Sequence, residues 1–346
     1  MDVLWRLVKI TAKSCIVQLI KLYGKVYKRE DHYKKMILTD EQLGFAKRMY
    51  ETGDYTYHGV AKELMSTYGV DIDTESLRYY ITRRNKPKLT VKDKLKDEGI
   101  EKVLVLSDLH IPYHRDDIID ICAKHKDEIS MIVFNGDTLD CKSISKYVEL
   151  GRGSLIDEMA VCHGTLKEID NLTPNVRKVM VIGNHEARLE KYMATNHNEL
   201  NDLHSSNILR EICDGFKKAD HEKGTIVYYD SLPNYEVLDD WHFTYKGMLC
   251  CHPLSFSKVP AKTAYNAVEY FVRNGFEFDT CLVAHTHHYG ACMDLGKYTV
   301  ETGCLCKPQP YSSTGKLNYV PQDYGYHLAV FKDGKYDINE SRQYIL

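Results

Sequence analysis

The chain has 346 residues, 43% of them hydrophobic and 27% charged, with a formal net charge of −3. That is the composition of an ordinary globular protein long enough for about two domains, and it excludes a disordered or low-complexity chain. Eleven cysteines, an odd number without paired metal-finger spacing, exclude a disulfide framework and point to reduced thiols in a cytoplasmic protein.

The opening stretch Met1–Ile20 is apolar but broken by Arg6, Lys9 and Lys13, so no run approaches the roughly 20 apolar residues of a membrane helix. It reads as an amphipathic helix packing on the next segment, with no clear signal-cleavage site and no membrane association expected. Residues 1–100 hold 20 Lys/Arg against 14 Asp/Glu, a balance of +6, which leaves about −9 for the remainder. Within this basic part, Leu38–Tyr50 predicts a helix capped by Thr39 or Asp40, Tyr57–Tyr68 a second ended by Gly69, and Thr74–Asn85 a third. Three short helices with a tight turn before a basic last one resemble a helix-turn-helix module. In such a module the last helix offers Arg78, Arg83 and Arg84 to the major groove of DNA, with Lys86 and Lys88 near the phosphates. The alternative is a small bundle that packs on the rest of the chain or on another subunit, its arginines merely solvated. Residues 1–90 are thus expected to form a helical domain. Lys86-Pro-Lys and the charged run Val91–Gly99 predict a linker over 91–100, followed by a second domain over 101–346.

That second domain opens with three short apolar runs, Lys102–Ser107, Ile129–Phe134 and Val176–Ile182, which read as buried strands. Each ends in a polar motif: Asp108-Leu-His110, Gly136-Asp137-Thr-Leu-Asp140 and Gly183-Asn184-His185-Glu186. The carboxyl edge of such strands is where open α/β sheets bind ligands. Ala187–Met193 and Ser205–Lys218 predict helices, and Trp241–Tyr245 with Met248–Cys251 a hairpin around Lys246-Gly247. Two more motifs follow, Cys251-His252-Pro253 and His285-Thr-His287. Further on, Tyr298–Cys306 and Tyr326–Phe331 predict strands that extend a second sheet, the latter closed by an Asp333-Gly334 turn. The tyrosine-rich stretch between them reads as a loop over the pocket or a packed surface loop. Cys250-Cys251 and Cys304-x-Cys306 read as small core residues.

Any one of these motifs arises by chance; five in this order do not. Hydrolysing a phosphate ester in neutral water needs a hydroxide nucleophile and cations to neutralise the phosphoryl oxygens, and a pair of metal ions supplies both. Imidazole and carboxylate donors suit manganese, iron and zinc. Side chains two apart on an extended segment share a side, so Asp108 with His110, and His285 with His287, are expected to grip ions as pairs. Arg188 and His288 are candidate phosphate contacts by their position next to the motifs, with a salt bridge or hydrogen bond as the alternative role.

The five motifs resemble the signature of the calcineurin-like metallophosphoesterases over roughly residues 101–310. The resemblance implies an α/β fold, a four-layer sandwich of two mixed β-sheets flanked by helices, here preceded by the small all-α domain. It implies two divalent transition-metal ions, one held by Asp108, His110, Asp137 and His287, the other by Asp137, Asn184, His252 and His285. Manganese is expected, with iron or zinc as alternatives. It further implies that His185 donates a proton to the leaving oxygen, oriented by Asp140. Two departures stand out: Asp140 is followed by Cys141-Lys142 where the protein serine/threonine phosphatases have Arg-Gly, and Ala284 stands where glycine is usual.

The expected activity is hydrolysis of a phosphate ester by a metal-bridging hydroxide. With the basic module and the missing Arg-Gly, a nucleic-acid phosphodiester is the leading substrate, making the protein a nuclease with DNA as partner. The alternatives are a phosphomonoesterase acting on a nucleotide or protein, and a DNA-binding regulator whose metal site is vestigial. A helix-turn-helix-like start joined to such an enzyme resembles proteins of phage or prophage origin.

Overall fold

A computed structural model of the chain describes residues 38–82, 91–146, 151, 153–196, 199, 205–308 and 321–346. They fall into two compact units, one within residues 1–88 and one within 89–346. The amphipathic helix expected at the start lies outside the described residues, as do Arg83, Arg84, Lys86 and Lys88 and most of the tyrosine-rich stretch.

In the first unit, α1 (Asp40–Glu51) begins at a capping box in which Thr39 and Gln42 satisfy each other's backbone N–H groups. Helix α2 (Tyr57–Tyr68) starts at the Thr56 cap and ends at Gly69. The carboxylate of Asp73 accepts the Ser76 N–H at 2.8 Å at the head of α3 (Thr74–Thr82). Leu38, Ala46, Val60, Leu64, Ile72 and Leu77 form the core between them, and Arg78 is exposed on α3.

The second unit starts earlier than expected. Residues 91–97 form a helix, α4 (Val91–Asp97), that packs on β1 (Ile100–Leu106). Leu95 is half-buried in it while Val91 stays exposed, so the charged run is a helix with a single inward apolar residue rather than a linker.

Strand β1 pairs in parallel with β2 (Met131–Asn135), β2 with β3 (Arg177–Val181), and β3 with β6 (Tyr235–Val237). Alternation along these strands explains their continuous hydrophobicity. Val103, Val105, Met131, Val133, Val179 and Val181 face a core shared with the second sheet. Leu104, Leu106, Ile132, Phe134 and Met180 face a core built by α5 (Ile118–His125), α6 (Leu155–Leu172) and α8 (Ile208–Asp214). Burying one such side chain is worth about 1.5–3 kcal/mol, so both faces hold the strands in register.

The second sheet runs β10 (Tyr289–Asp294), β11 (Lys297–Thr302), β9 (Thr280–Val283), β8 (Met248–Cys251), β7 (His242–Tyr245). Its outer face is covered by α9 (Lys262–Arg273), through Val268 and Phe271 against Leu249, Cys281 and Val283. Helix, sheet, sheet and helix make the expected four layers.

Helix α7 (Ala187–Asn196) follows the third motif where a helix was expected, and two further expectations change. The helix predicted over Ser205–Lys218 stops at Asp214; Phe216–Asp220 is β4, paired with β5 (Thr225–Tyr229) and held by the Phe216 and Tyr229 rings stacked 4.4 Å apart across the ribbon. The strand predicted at Tyr326–Phe331, β12 (Gly325–Lys332), joins the first sheet, antiparallel to β1, and pairs with β13 (Lys335–Tyr336) and β14 (Arg342–Ile345). Its partner in prediction, Tyr298–Cys306, supplies β11 of the second sheet as expected. Among the described residues no helix is long and apolar enough to cross a membrane.

Candidate metal centre

The first three motifs leave the carboxyl ends of β1, β2 and β3 side by side, and backbone bonds zip their loops together. Asp108 N–H donates to Gly136 O at 3.2 Å, His110 N–H to Asp137 O at 2.8 Å and Ile111 N–H to Thr138 O at 2.9 Å. The motif glycines are required by close approach. A Cβ on Gly136, whose φ is +79°, would run into the His252 ring, and one on Gly183 into the Asp137 carboxylate and backbone.

Five of the seven expected ligands take a left-handed backbone: Asp108 (φ 52°), His110 (φ 49°), Asp137 (φ 49°), His285 (φ 77°) and His287 (φ 56°). The paired motifs therefore do not bring their side chains together by extended alternation, as the spacing suggested. Sharp turns do so, at a cost on the order of 1–3 kcal/mol each that the surrounding packing must offset.

Those turns converge. His110 Nε2 lies 3.1 Å from His287 Nε2, 3.6 Å from Asp137 Oδ2 and 3.9 Å from Asp108 Oδ1, and His287 Nε2 lies 3.3 Å from Asp108 Oδ1. On the other side of Asp137, its Oδ2 is 3.3 Å from His252 Nε2, which is 3.1 Å from Asn184 Oδ1. Donor atoms of Asp137, His252 and His285 lie within 4.8 Å of one another. All seven residues stand at one place, with Asp137 between two groups, and all but Asn184 and His285 are buried.

His185 is brought to the same place with Asp140. Its Nδ1 lies 3.0 Å from Asp140 Oδ1 and 2.7 Å from the Asp140 carbonyl, while Asp140 Oδ1 also lies 2.9 Å from His110 Nδ1. Arg188 is held within the cluster: one guanidinium nitrogen donates to the Asp140 carbonyl at 2.8 Å and the other is 2.7 Å from His185 Nε2. His288 is buried behind the last motif, its backbone tied to Thr286 and Gly303.

The residues fit divalent cations, and the electrostatics say so independently of the motifs. Burial works against charge on Asp137, yet the imidazoles of His185 and His252 outweigh it and hold that carboxyl well below the usual range. Burial likewise disfavours charged His110 and His252, yet Asp140 and Asp137 push them up to about 9. A place that favours protons on buried imidazoles favours a metal ion in their stead. His285, lowered to about 4 by burial and by His252, stays neutral, the form that ligates.

Some partners carry no motif signal. The Glu186 carboxylate, named in the third motif without a role, accepts the N–H groups of Gly183 at 2.9 Å, Asp137 at 3.1 Å and Leu139 at 2.9 Å. The His252 Nδ1 is bonded to the Asn135 carbonyl at 3.0 Å. The Gln322 side-chain amide lies 2.7 Å from His287 Nδ1, and Cys306, expected in the core, is buried with its Sγ 3.9 Å from the same nitrogen. Such contacts fix the tautomer and aim of a ligating ring. Only the acidic residue of the third motif had any signal in the sequence.

Residues 101–289, more than half of the chain, match the family described as calcineurin-like phosphoesterase. No curated protein matches the chain. Among solved structures it is similar to vacuolar protein sorting 29 from Cryptosporidium parvum, 14% identical over 72% of this chain and 98% of that one, with a TM-score of 0.35. A novel archaeal phosphodiesterase is 13% identical over 71% and 99%, with a TM-score of 0.33. A metallophosphoesterase from Sphaerobacter thermophilus is 14% identical over 71% and 88%, again with a TM-score of 0.33.

Proposed function

The chain belongs to the calcineurin-like phosphoesterase family and is a metal-dependent phosphoric ester hydrolase, and from this premise we propose that it cleaves phosphodiesters, nucleic acid foremost, at a site for two divalent ions. The observation that carries the two-ion reading is the position of Asp137, whose Oδ2 lies 3.6 Å from His110 Nε2 on one side and 3.3 Å from His252 Nε2 on the other. In this reading Asp108, His110, Asp137 and His287 hold one ion, and Asp137, Asn184, His252 and His285 the other. The donor set suits manganese, iron or zinc. When bound, the ions supply positive charge for the phosphoryl oxygens and an activated water at neutral pH.

The chain's own groups do the rest. Asp140 fixes His185 through Nδ1, which leaves Nε2 as the atom that gives a proton to the departing ester oxygen. A guanidinium only donates, so Arg188, 2.7 Å from that atom, occupies its lone pair in this arrangement, and Nε2 carries a proton once Arg188 turns from it to the phosphoryl oxygens of the substrate. Glu186, by accepting three backbone N–H groups, holds the Asp137 and Gly183 loops together.

Support for a nucleic-acid substrate comes from charge. The +6 balance of residues 1–100, the exposed Arg78 on α3, and the absence of an arginine after Asp140 favour a polyanionic diester over a phosphoprotein. The deciding experiment runs single-stranded DNA, duplex DNA, RNA, a phosphopeptide and aryl phosphates in parallel, with and without chelator. Cleavage confined to monoesters would replace the diester reading with a phosphomonoesterase acting on a nucleotide or protein.

A further inference from the structure

Between His252 and α9 runs a loop, Pro253–Ala261, that exposes large apolar side chains alongside Ser255 and Lys258. Leu254, Phe256 and Val259 expose 65%, 51% and 63% of their surface, three large hydrophobic side chains on one short segment. Exposed apolar clusters beside a cleft mark where something binds. The loop is anchored at both ends. At its start the His252 ring is bonded to the Asn135 carbonyl and its N–H to Trp241 O at 2.8 Å. At its end the fully buried Glu301 carboxylate accepts the N–H groups of Ala261, Thr263 and Ala264 at 3.1, 3.1 and 3.2 Å, and Ser257 N–H donates to Thr263 Oγ1 at 2.9 Å. Phe256 is therefore displayed on a fixed loop.

Its place is next to the chemistry. The Phe256 ring centroid is 5.1 Å from that of His285, edge to face, and His285 is in turn 5.2 Å from His252. His285 is one of only two expected ligands that are not buried, so Phe256 borders the side on which the centre opens. The ring contacts of the centre form two groups. His185, His110 and His287 make one, and His252, His285 and Phe256 the other. The proton donor belongs to the first and Phe256 to the second.

We propose that Phe256, flanked by Leu254 and Val259, is a specificity-determining residue that stacks on the planar base of the nucleoside retained on phosphorus, while the leaving oxygen faces His185. The proposal rests on the diester reading and adds the side of the ester on which an aromatic group is recognised. A base presents a π-face of any sequence, and an exposed phenylalanine ring binds it through stacking and apolar burial. The retained group faces the apolar lip because the polar flank, with Asp140 and Arg188, surrounds the donor.

The test compares two diesters with the same leaving group, thymidine 5′-(p-nitrophenyl phosphate) and methyl p-nitrophenyl phosphate, on the full chain with manganese. The ratio of their kcat/KM values should fall on the order of 10-fold in Phe256→Ala, the usual scale for loss of one base stack. Phe256→Leu should lower it as well, since it keeps apolar volume without a π-face, and Phe256→Trp should restore it. Binding of thymidine 5′-monophosphate relative to methyl phosphate, measured by calorimetry, should weaken by the same factor. A ratio and a relative affinity untouched by Phe256→Ala and Phe256→Leu overturn the proposal. If the wild-type chain cleaves neither diester yet hydrolyses p-nitrophenyl phosphate, the diester reading falls, and the binding comparison still decides whether Phe256 holds a base.

Discussion

The Nε2 atoms of His110 and His287, 177 positions apart in the chain, lie 3.1 Å from each other with the Asp108 carboxylate 3.3 Å from the second. Two imidazole lone pairs at that distance repel unless a proton or a cation stands between them, and the adjacent carboxylates favour a cation. Purified protein should therefore hold two transition-metal ions per chain by elemental analysis, lose hydrolysis in chelator and regain it with manganese. Asp137→Asn should remove more metal and more turnover than His287→Ala, because Asp137 stands between both groups. Full activity in metal-free protein would sink the two-ion reading.

His185 should separate proton donation from metal binding. With His185→Ala, metal content should be retained while hydrolysis of an alkyl ester falls about 10²- to 10⁴-fold. A p-nitrophenyl ester leaves without needing a proton, so its loss should be smaller. Equal losses on the two leaving groups contradict the role.

Glu186 should behave as a structural tie with a catalytic consequence. Glu186→Gln turns one of its oxygens into an amide NH2 facing N–H donors, and leaving a buried donor unpaired costs about 1–3 kcal/mol. Urea melts should show that loss, and turnover should drop because the Asp137 loop is no longer held. A variant as stable and as active as the parent would remove Glu186 from the argument.

Stability should carry a pH signature from His327, far along the chain from the motifs. Burial, opposed only by a hydrogen bond to Gln343, holds its imidazole down to about 4. A histidine whose folded pKa lies below its unfolded value, roughly 6.5, binds fewer protons folded than unfolded between the two. Its contribution to stability is thus present above the unfolded value and lost as pH falls from about 6.5 to about 4, by roughly 3 kcal/mol at most. Urea melts in saturating manganese should show a shallower decline over that window for His327→Gln than for the parent; parallel curves would exclude His327 as the source.

The basic unit should act on nucleic acid alone. A chain starting at Leu89, which keeps α4 on β1, should hydrolyse a small aryl diester normally yet bind and cut DNA worse. In the intact chain DNA affinity should fall steeply with salt as phosphate contacts release counterions, and Arg83→Ala with Arg84→Ala should flatten that slope. DNA binding that is absent at low salt, or unchanged by truncation, would make the unit a structural or subunit-contacting bundle.

Much of this was legible in the sequence for definite reasons. Val103 to Leu106 and Val179 to Val181 are apolar at every position because both faces of the strand are covered, and a buried strand ending in Asp, Gly or Asn announces its own carboxyl end. The helix cap, narrowed from Thr39 or Asp40 to Thr39, and the Asp-Gly turn before β13 are local chemistry that needs no partner. Where the reading failed, the missing information was distant. Residues 91–97 looked like a linker until β1 gave that helix a strand to pack on. Phe216–Asp220 looked helical until Tyr229 offered a ring to stack against. The strand Gly325–Lys332 was assigned to the wrong sheet because its apolar pattern states that it is buried and not beside which strand it lies.

The sequence by itself determined which donors this protein owns and that they follow strands, since ligand chemistry is written in residue types and strand ends in hydrophobic period. Only the tertiary structure decided how those donors meet. Left-handed turns at Asp108, His110, Asp137, His285 and His287 aim the ligands, Glu186, Gln322 and the Asn135 carbonyl hold them, and Phe256 reaches the rim from a loop tied down by Glu301. Apart from the turns, each of these is a contact between residues far apart in the chain, and the turns themselves are held by packing that no short segment contains.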